Sequence, residues 1–221
     1  LFCRRNNTDI YNLLGQPPKR MELFYGGVLP ILSDEAMSRI IGIYRQMSIP
    51  YMRVKLSKDL SYNRYVLKTV RESFGSDFDI RVDVNCAWDI ETTVDHLELL
   101  KSYGVRLVEE PIGADHKKMV NLAYRTRGSG ITYVADESAV SFDDIDSIAA
   151  DKTFSMLNLR LAKNGGLIRV LELSLRADEA GLKYQLGSHV GETGILSVTG
   201  RIAASLMEKP VYIDGSFDDF L

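Results

Sequence analysis

Cysteine is nearly absent: Cys3 and Cys86 are the two in 221 residues. That excludes a disulfide framework and suits a reducing compartment. Positive charge is not in excess either, since 27 Lys and Arg face 30 Asp and Glu for a formal net charge of −3. A chain so balanced offers no basic field to nucleic acid or to an anionic membrane. No apolar run approaches the ~20 residues of a membrane span. Residue 1 is Leu, and neither the charged segment nor the apolar core of a signal peptide follows it. The missing initiator Met leads us to expect that the sequence begins inside a longer protein. What is present is ordinary soluble composition, 45% hydrophobic and 26% charged. The length suits one barrel-sized core or one to two smaller domains. The expectation is a cytoplasmic protein with no nucleic-acid or membrane partner.

Short β-rich runs recur along the chain, each followed by a segment of helical period. Strands are predicted near 22–26, 51–56, 79–84, 105–109, 131–135, 154–160, 183–187 and 211–214. The clearest helix is 59–74, where Leu60, Tyr65, Val66, Val70 and Phe74 can share an apolar face. Another is 89–103, which Asp89 can cap and Gly104 can stop. Segments 115–128, 141–150, 167–180 and 192–207 read similarly. Strand starts fall 23–29 residues apart, the length of one βα unit. Strict alternation argues for a parallel sheet covered by helices. Eight strands with seven intervening helices predict an α/β fold, a TIM-type (β/α)7β barrel. An open doubly wound sheet is the alternative, and the placement of acids decides between them.

Functional side chains of a parallel barrel sit where strands end. In order, the strand ends carry Lys55, Asp83, Glu109, Asp136, Arg160 and His189, at intervals of 28, 26, 27, 24 and 29 residues. Three successive strands thus end in a carboxylate. Neighbouring strands lie about 4.8 Å apart, so Asp83, Glu109 and Asp136 can converge on one hard cation. Without a counter-ion they would repel and some would stay protonated. An oxygen-only set with no adjacent Cys or His favours Mg²⁺ over zinc. A lone acid at a strand end is usually a solvated loop residue or a helix cap; three in register are harder to explain so. The pleat adds that Arg53 and Lys55 share a face, as do Arg81, Asp83 and Asn85, and Asn158 and Arg160. Unpaired buried charge is costly, so either a wet, charged mouth or a structural ion-pair cluster is expected there.

These residues fall in recognisable runs. RVKLSKD (53–59) resembles the KxK strand of the enolase superfamily, in its mandelate-racemase and muconate-lactonising branches, with Arg53 in the first Lys place. VDVNCAW (82–88), VEEP (108–111) and ADES (135–138) are similar to its third, fourth and fifth strand motifs. LNLRLAKNGG (157–166) and YIDGS (212–216) resemble the sixth and eighth, and IYNLLG (10–15) resembles the linker after the family's capping domain. Each motif alone is weak, and six in order at barrel spacing are specific. The resemblance implies a linker over 1–20 that follows a capping domain absent from this sequence, and a catalytic barrel over 21–221. It makes Asp83, Glu109 and Asp136 the Mg²⁺ ligands and Lys55 an acid/base catalyst facing the α-carbon of a small carboxylate substrate. The implied chemistry is proton abstraction through an enediolate, in a lyase or isomerase that self-associates as a homo-oligomer. A divalent ion suits such chemistry because it neutralises charge growing on the carboxylate.

The sequence departs from that pattern in informative places. Arg160 stands where muconate-lactonising relatives carry a second catalytic Lys, and arginine stays protonated, making it a poor base. It can still stabilise negative charge or grip a carboxylate with its fork. Lys163 falls at the wrong offset and on the opposite pleat if the strand continued. His189 matches the strand-seven His of mandelate-racemase relatives, with Arg160 replacing its Asp partner. Lys55 alone suits dehydration or cycloisomerisation, whereas Lys55 with His189 opposite suits racemisation or epimerisation, or anti-dehydration of a hydroxy acid. Asp214 sits where dipeptide epimerases carry the second Asp of a DxD pair, but Tyr212 fills the first place. Asn85, Glu110, Glu137 and Glu192 are candidates to orient these groups, and Cys86 reads as packing rather than a nucleophile. Two other readings stay open: a phosphate-binding barrel using the glycines of KNGG and GSHVGETG, which leaves the acids unexplained, and a non-catalytic barrel marked by Arg160.

Overall fold

Each β-rich run pairs with the next along the chain, always in parallel. The computed structural model describes residues 2–19, 22–113, 115–189 and 191–215. Two short helices, α1 (Phe2–Arg5) and α2 (Ile10–Leu14), precede a seven-stranded sheet in the order β1-β2-β3-β4-β5-β6-β7. Its strands are β1 Gly27–Leu29, β2 Tyr51–Lys55, β3 Asp79–Asp83, β4 Leu107–Glu109, β5 Thr132–Ala135, β6 Met156–Arg160 and β7 Lys183–Gly187. Between and after them run α3 Asp34–Gln46, α4 Leu60–Phe74, α5 Ile90–Ser102, α6 His116–Arg125, α7 Phe142–Asp151, α8 Leu167–Glu179 and α9 Ile195–Leu206. No helix among the described residues is long and apolar enough to cross a membrane.

The sheet curls until its edges meet a common segment. Asp214 bridges Gly26, just before β1, and Ile213 bridges Leu186 in β7, both in parallel. The result is a barrel-like α/β sheet clothed in helices. The predicted last strand 211–214 is therefore reduced to two bridges, at Ile213 and Asp214. The predicted first strand 22–26 is displaced onto Gly27–Leu29. Crowding explains the glycines there, since a Cβ on Gly26 would lie 2.2 Å from the Tyr51 ring. Ser216 of YIDGS and Val190 of GSHVGETG lie outside the described residues.

Helix starts follow their caps. Ser33, Asp59, Asp89, Asp115 and Ser141 each accept a backbone N–H of the first turn, which satisfies donors the helix cannot. Helix α3 was not among the segments singled out from sequence. Helix α4 buries Asn63, Val66, Leu67 and Val70, an i, i+3, i+4, i+7 set. Leu60 and Tyr65, expected on that face, are exposed instead. Helix α9 begins three residues later than predicted, because Gly194 at φ 55° turns the chain before it. The main apolar core, with Leu29, Met52, Leu67, Leu100, Leu122, Leu157 and Leu173 at its centre, lies between the sheet and these helices.

Candidate active site

Strand register places the polar residues in layers. Lys55 pairs with Asp83, and Asp83 with Glu109, so these three form one row across the ends of β2, β3 and β4. Asp136 follows β5 directly, and Arg160 ends β6. One layer deeper, Arg53 pairs with Arg81 and Asn158 with Gln185. Lys55 is partly exposed, whereas Asp83, Glu109 and Asp136 are each 2% exposed. His189 lies beyond β7 on the surface.

Two neighbouring arginines in a barrel interior would repel unless acids reach both. Asp214, on the closing segment, is 2.8 Å from Arg81 Nη2 and 3.3 Å from Arg53 Nη2. Glu109 takes Arg53 Nη1 at 2.8 Å on Oε1, which also accepts from Asn158 Nδ2 at 2.8 Å, and Oε2 accepts from Gln185 Nε2 at 3.0 Å. Arg81 Nη1 donates in turn to Gln185 Oε1. Sequence reading missed Gln185, and it matched Asp214 to the second Asp of the dipeptide-epimerase DxD pair. The structure makes Asp214 the counter-ion of two buried guanidinium groups.

Each of the three strand-end acids has its own cation. Lys55 Nζ is 3.3 Å from Asp83 Oδ2 and also donates to Asn85 Oδ1. Arg160 Nη2 lies 2.8 Å and Lys163 Nζ 3.1 Å from Asp136 Oδ1. The Lys163 contact corrects the expectation that this residue faces away. The strand ends at Arg160 and a turn follows, so the pleat no longer governs where Lys163 points. Its ammonium group donates to the carbonyls of Asp136, Ala139 and Asn158 at 2.5, 3.0 and 2.7 Å, which uses all three of its protons. Arg160 Nη1 meets His189 Nδ1 at 3.4 Å. Guanidinium only donates, so Nδ1 is the acceptor there. His189 N donates to Glu192 Oε1 at 3.0 Å. Buried Glu110 accepts from Asp136 N at 2.7 Å, from Ser138 N at 3.2 Å and from Ser138 Oγ. Asn85, Cys86 and Glu110, in the loops after β3 and β4, all adopt positive φ, a strained backbone that persists where surrounding structure enforces it.

Burial sets the charges. It raises Asp83 to about 6, helped by repulsion from Glu109 and opposed by Arg53 and Lys55. It raises Asp136 to about 7, opposed by Lys163 and Arg160 and helped by Glu109. Burial pushes Glu109 upward too, but Arg53 and Arg81, with the bonds from Asn158 and Gln185, hold it below the ordinary carboxylate range. Burial, with Glu137 and Glu110 nearby, pushes the Cys86 thiol up to about 12, which argues against a nucleophile. Asp83 and Asp136 therefore bind protons more tightly folded than unfolded, where a carboxyl titrates near ~4. Their stabilising contribution is full below that value and is lost as pH rises through about 6 and about 7. Asp136→Asn stays neutral throughout. Its melting temperature is expected to rise relative to wild type between about pH 4 and about pH 7; a difference that is flat with pH would refute this.

The donor set suits a hard divalent cation: three buried carboxylates with oxygen atoms only, and Asp136 Oδ1 accepts no hydrogen bond despite the cations beside it. Their oxygens are not drawn into one tight cluster, because each acid leans toward its own cation. Among the described residues, the ligand atoms that lie within 4.8 Å of one another are those of Cys86, Glu110 and Glu137.

The model of the family described as enolase C-terminal domain-like matches residues 41–219. The chain belongs to that family. It is 24% identical over 209 residues to a hydrophobic dipeptide epimerase of Enterococcus faecalis, covering 93% of this chain and 57% of the epimerase. It is 33% identical over 144 residues to muconate cycloisomerase 1 of Pseudomonas putida, covering 64% and 36%. A crystal structure of the dipeptide epimerase from E. faecalis, complexed with Mg and the dipeptide L-Leu-L-Tyr, superposes with a TM-score of 0.83. That match covers 96% of this chain and 59% of the epimerase at 22% identity, a likeness of fold. The chain thus spans about half the length of the relatives it matches. These enolase-superfamily relatives are an epimerase and a cycloisomerase, both isomerases, within the lyase-or-isomerase class that the motif resemblance implies.

Proposed function

We propose that this enolase-superfamily chain serves to remove the proton α to the carboxylate of a small substrate, as a lyase or isomerase. Asp83, Glu109 and Asp136 hold Mg²⁺, and Lys55 carries the proton. The observation that carries this reading is the single register row of Lys55, Asp83 and Glu109, which puts a partly exposed amine beside buried acids at the barrel mouth. When bound, Mg²⁺ supplies the positive charge that offsets the growing enediolate.

The protein's own groups do the rest. Lys55 Nζ, held by Asn85 Oδ1 and Asp83, is the atom that takes the α-proton. Arg53 keeps Glu109 ionised and fixed in place. Glu110 fixes the backbone at Asp136 and Ser138, and so the direction of the Asp136 side chain. Arg160 stays protonated and cannot serve as the second base. Strands β2 and β6 stand across the ring from each other, so His189, held through Nδ1 by Arg160, is the proton carrier available on the facing side. With His189 the outcome is racemisation or epimerisation; with Lys55 alone it is cycloisomerisation or dehydration. The protein acts in a cytoplasmic setting as a homo-oligomer, on a small carboxylate.

The test is deuterium incorporation in D₂O with Mg²⁺, against hydroxy acids, N-acyl amino acids and dipeptides. Label at the α-carbon is expected with wild type and not with Asp83→Asn. Measurable Mg²⁺ binding with no label from any of these acids would replace this reading with a non-catalytic barrel.

A further inference from the structure

The cations at the three acids differ in how firmly they are tied. Arg53 is shared between Glu109 and Asp214, so it retains one acid if the other turns away. Lys163 is anchored by three backbone carbonyls as well as by Asp136. Lys55 is partly exposed and keeps Asn85 Oδ1 as a partner if Asp83 turns away. Arg160 has none of these recourses. Among the described residues its side-chain partners are one acid oxygen, through Nη2, and the exposed His189, through Nη1. Its Nε is buried without a hydrogen-bond partner. It cannot deprotonate, so a second cation at Asp136 has to move it bodily, and exposed His189 beside its Nη1 marks the direction of solvent.

We infer that Arg160 is a displaceable occupant of the cation position at Asp136, so that a divalent ion binds only as the Arg160 fork swings away, and Arg160 sets the metal affinity. The inference rests on the reading above that Asp136 is a metal ligand. Arg160 is then a positioning residue rather than a catalytic one. The side chain that takes the family's second lysine place acts on the ion, not on the proton. Apparent affinity falls by the fraction of time the competent arrangement is populated. An arginine that occupies Asp136 about nine-tenths of the time weakens binding about tenfold by that relation.

Calorimetric titration of Mg²⁺ into wild type, Arg160→Met and Arg160→Lys tests this without any substrate, with circular dichroism as a check on folding. Arg160→Met is expected to bind about tenfold more tightly or better. Arg160→Lys, which keeps a charge on a more flexible stem, should fall between. Adding Asp83→Asn to each should abolish the binding. Equal or weaker binding by Arg160→Met, with binding still lost in Asp83→Asn, overturns the role of Arg160 and leaves the metal reading standing. Absence of Mg²⁺ binding in all three proteins overturns both. Tighter binding that ignores Asp83→Asn places the ion elsewhere and also overturns the inference. If Arg160→Met fails to fold, Arg160→Lys decides alone, and affinity equal to wild type counts against the proposal.

Discussion

Lys55→Ala is expected to lower α-proton exchange about 10²- to 10⁴-fold, the contribution typical of a positioned general base, with little change in fold stability. The side chain is 29% exposed, so truncation opens no sealed cavity. The partners it leaves are Asp83, still beside Arg53, and the side chain of Asn85. Lys55→Arg should not restore exchange, because a guanidinium reaches the same acids but cannot give up its proton. The two variants separate a proton carrier from a mere counter-ion of Asp83: a counter-ion would be replaced well by arginine. Exchange by Lys55→Ala within a few-fold of wild type would remove Lys55 from the chemistry and leave His189 as the remaining candidate at the mouth.

The largest stability effect is expected at Asp214. Asp214→Ala leaves Arg81, 1% exposed, and Arg53, 5% exposed, as neighbouring buried cations with one acid fewer. Removing one partner of such a buried pair costs about 3–5 kcal/mol. Domains of this size commonly hold only about 5–15 kcal/mol in all. The backbone of Asp214 also closes the sheet, through its bridge to Gly26 and its N–H to the Leu186 carbonyl at 2.8 Å. Both variants keep those backbone bonds, and Asp214→Asn also keeps one side-chain hydrogen-bond acceptor, so it should lose less than the alanine variant. Urea unfolding monitored by circular dichroism measures both. A loss under about 1 kcal/mol for Asp214→Ala would mean that the two arginines find other partners, and would sink this account of the interior.

Much of the site was legible because one βα unit has a nearly fixed length. The spacing of Asp83, Glu109 and Asp136 carried them to adjacent strand ends, and the register of Lys55 with Asp83 and of Asp83 with Glu109 agrees with that reading. The cap at Asp89 was legible for a similar reason, since a helix start is a local event. Lys163 was misread because alternation was extended past the point where β6 ends and a turn takes over. The face of α4 was misread at Leu60 and Tyr65 because an apolar residue on a helix flank need not be buried.

The sequence by itself therefore determined the alternation, the order of the strands, and which strand ends carry acids. Local spacing controls all three. The tertiary structure alone decided which cation answers which acid. Arg53 meets Glu109 across 56 residues, and Arg81 meets Asp214 across 133. No local pattern encodes such pairings, because they arise only when a curling sheet brings its edges together and buried charges must take whichever opposite charge lies within reach.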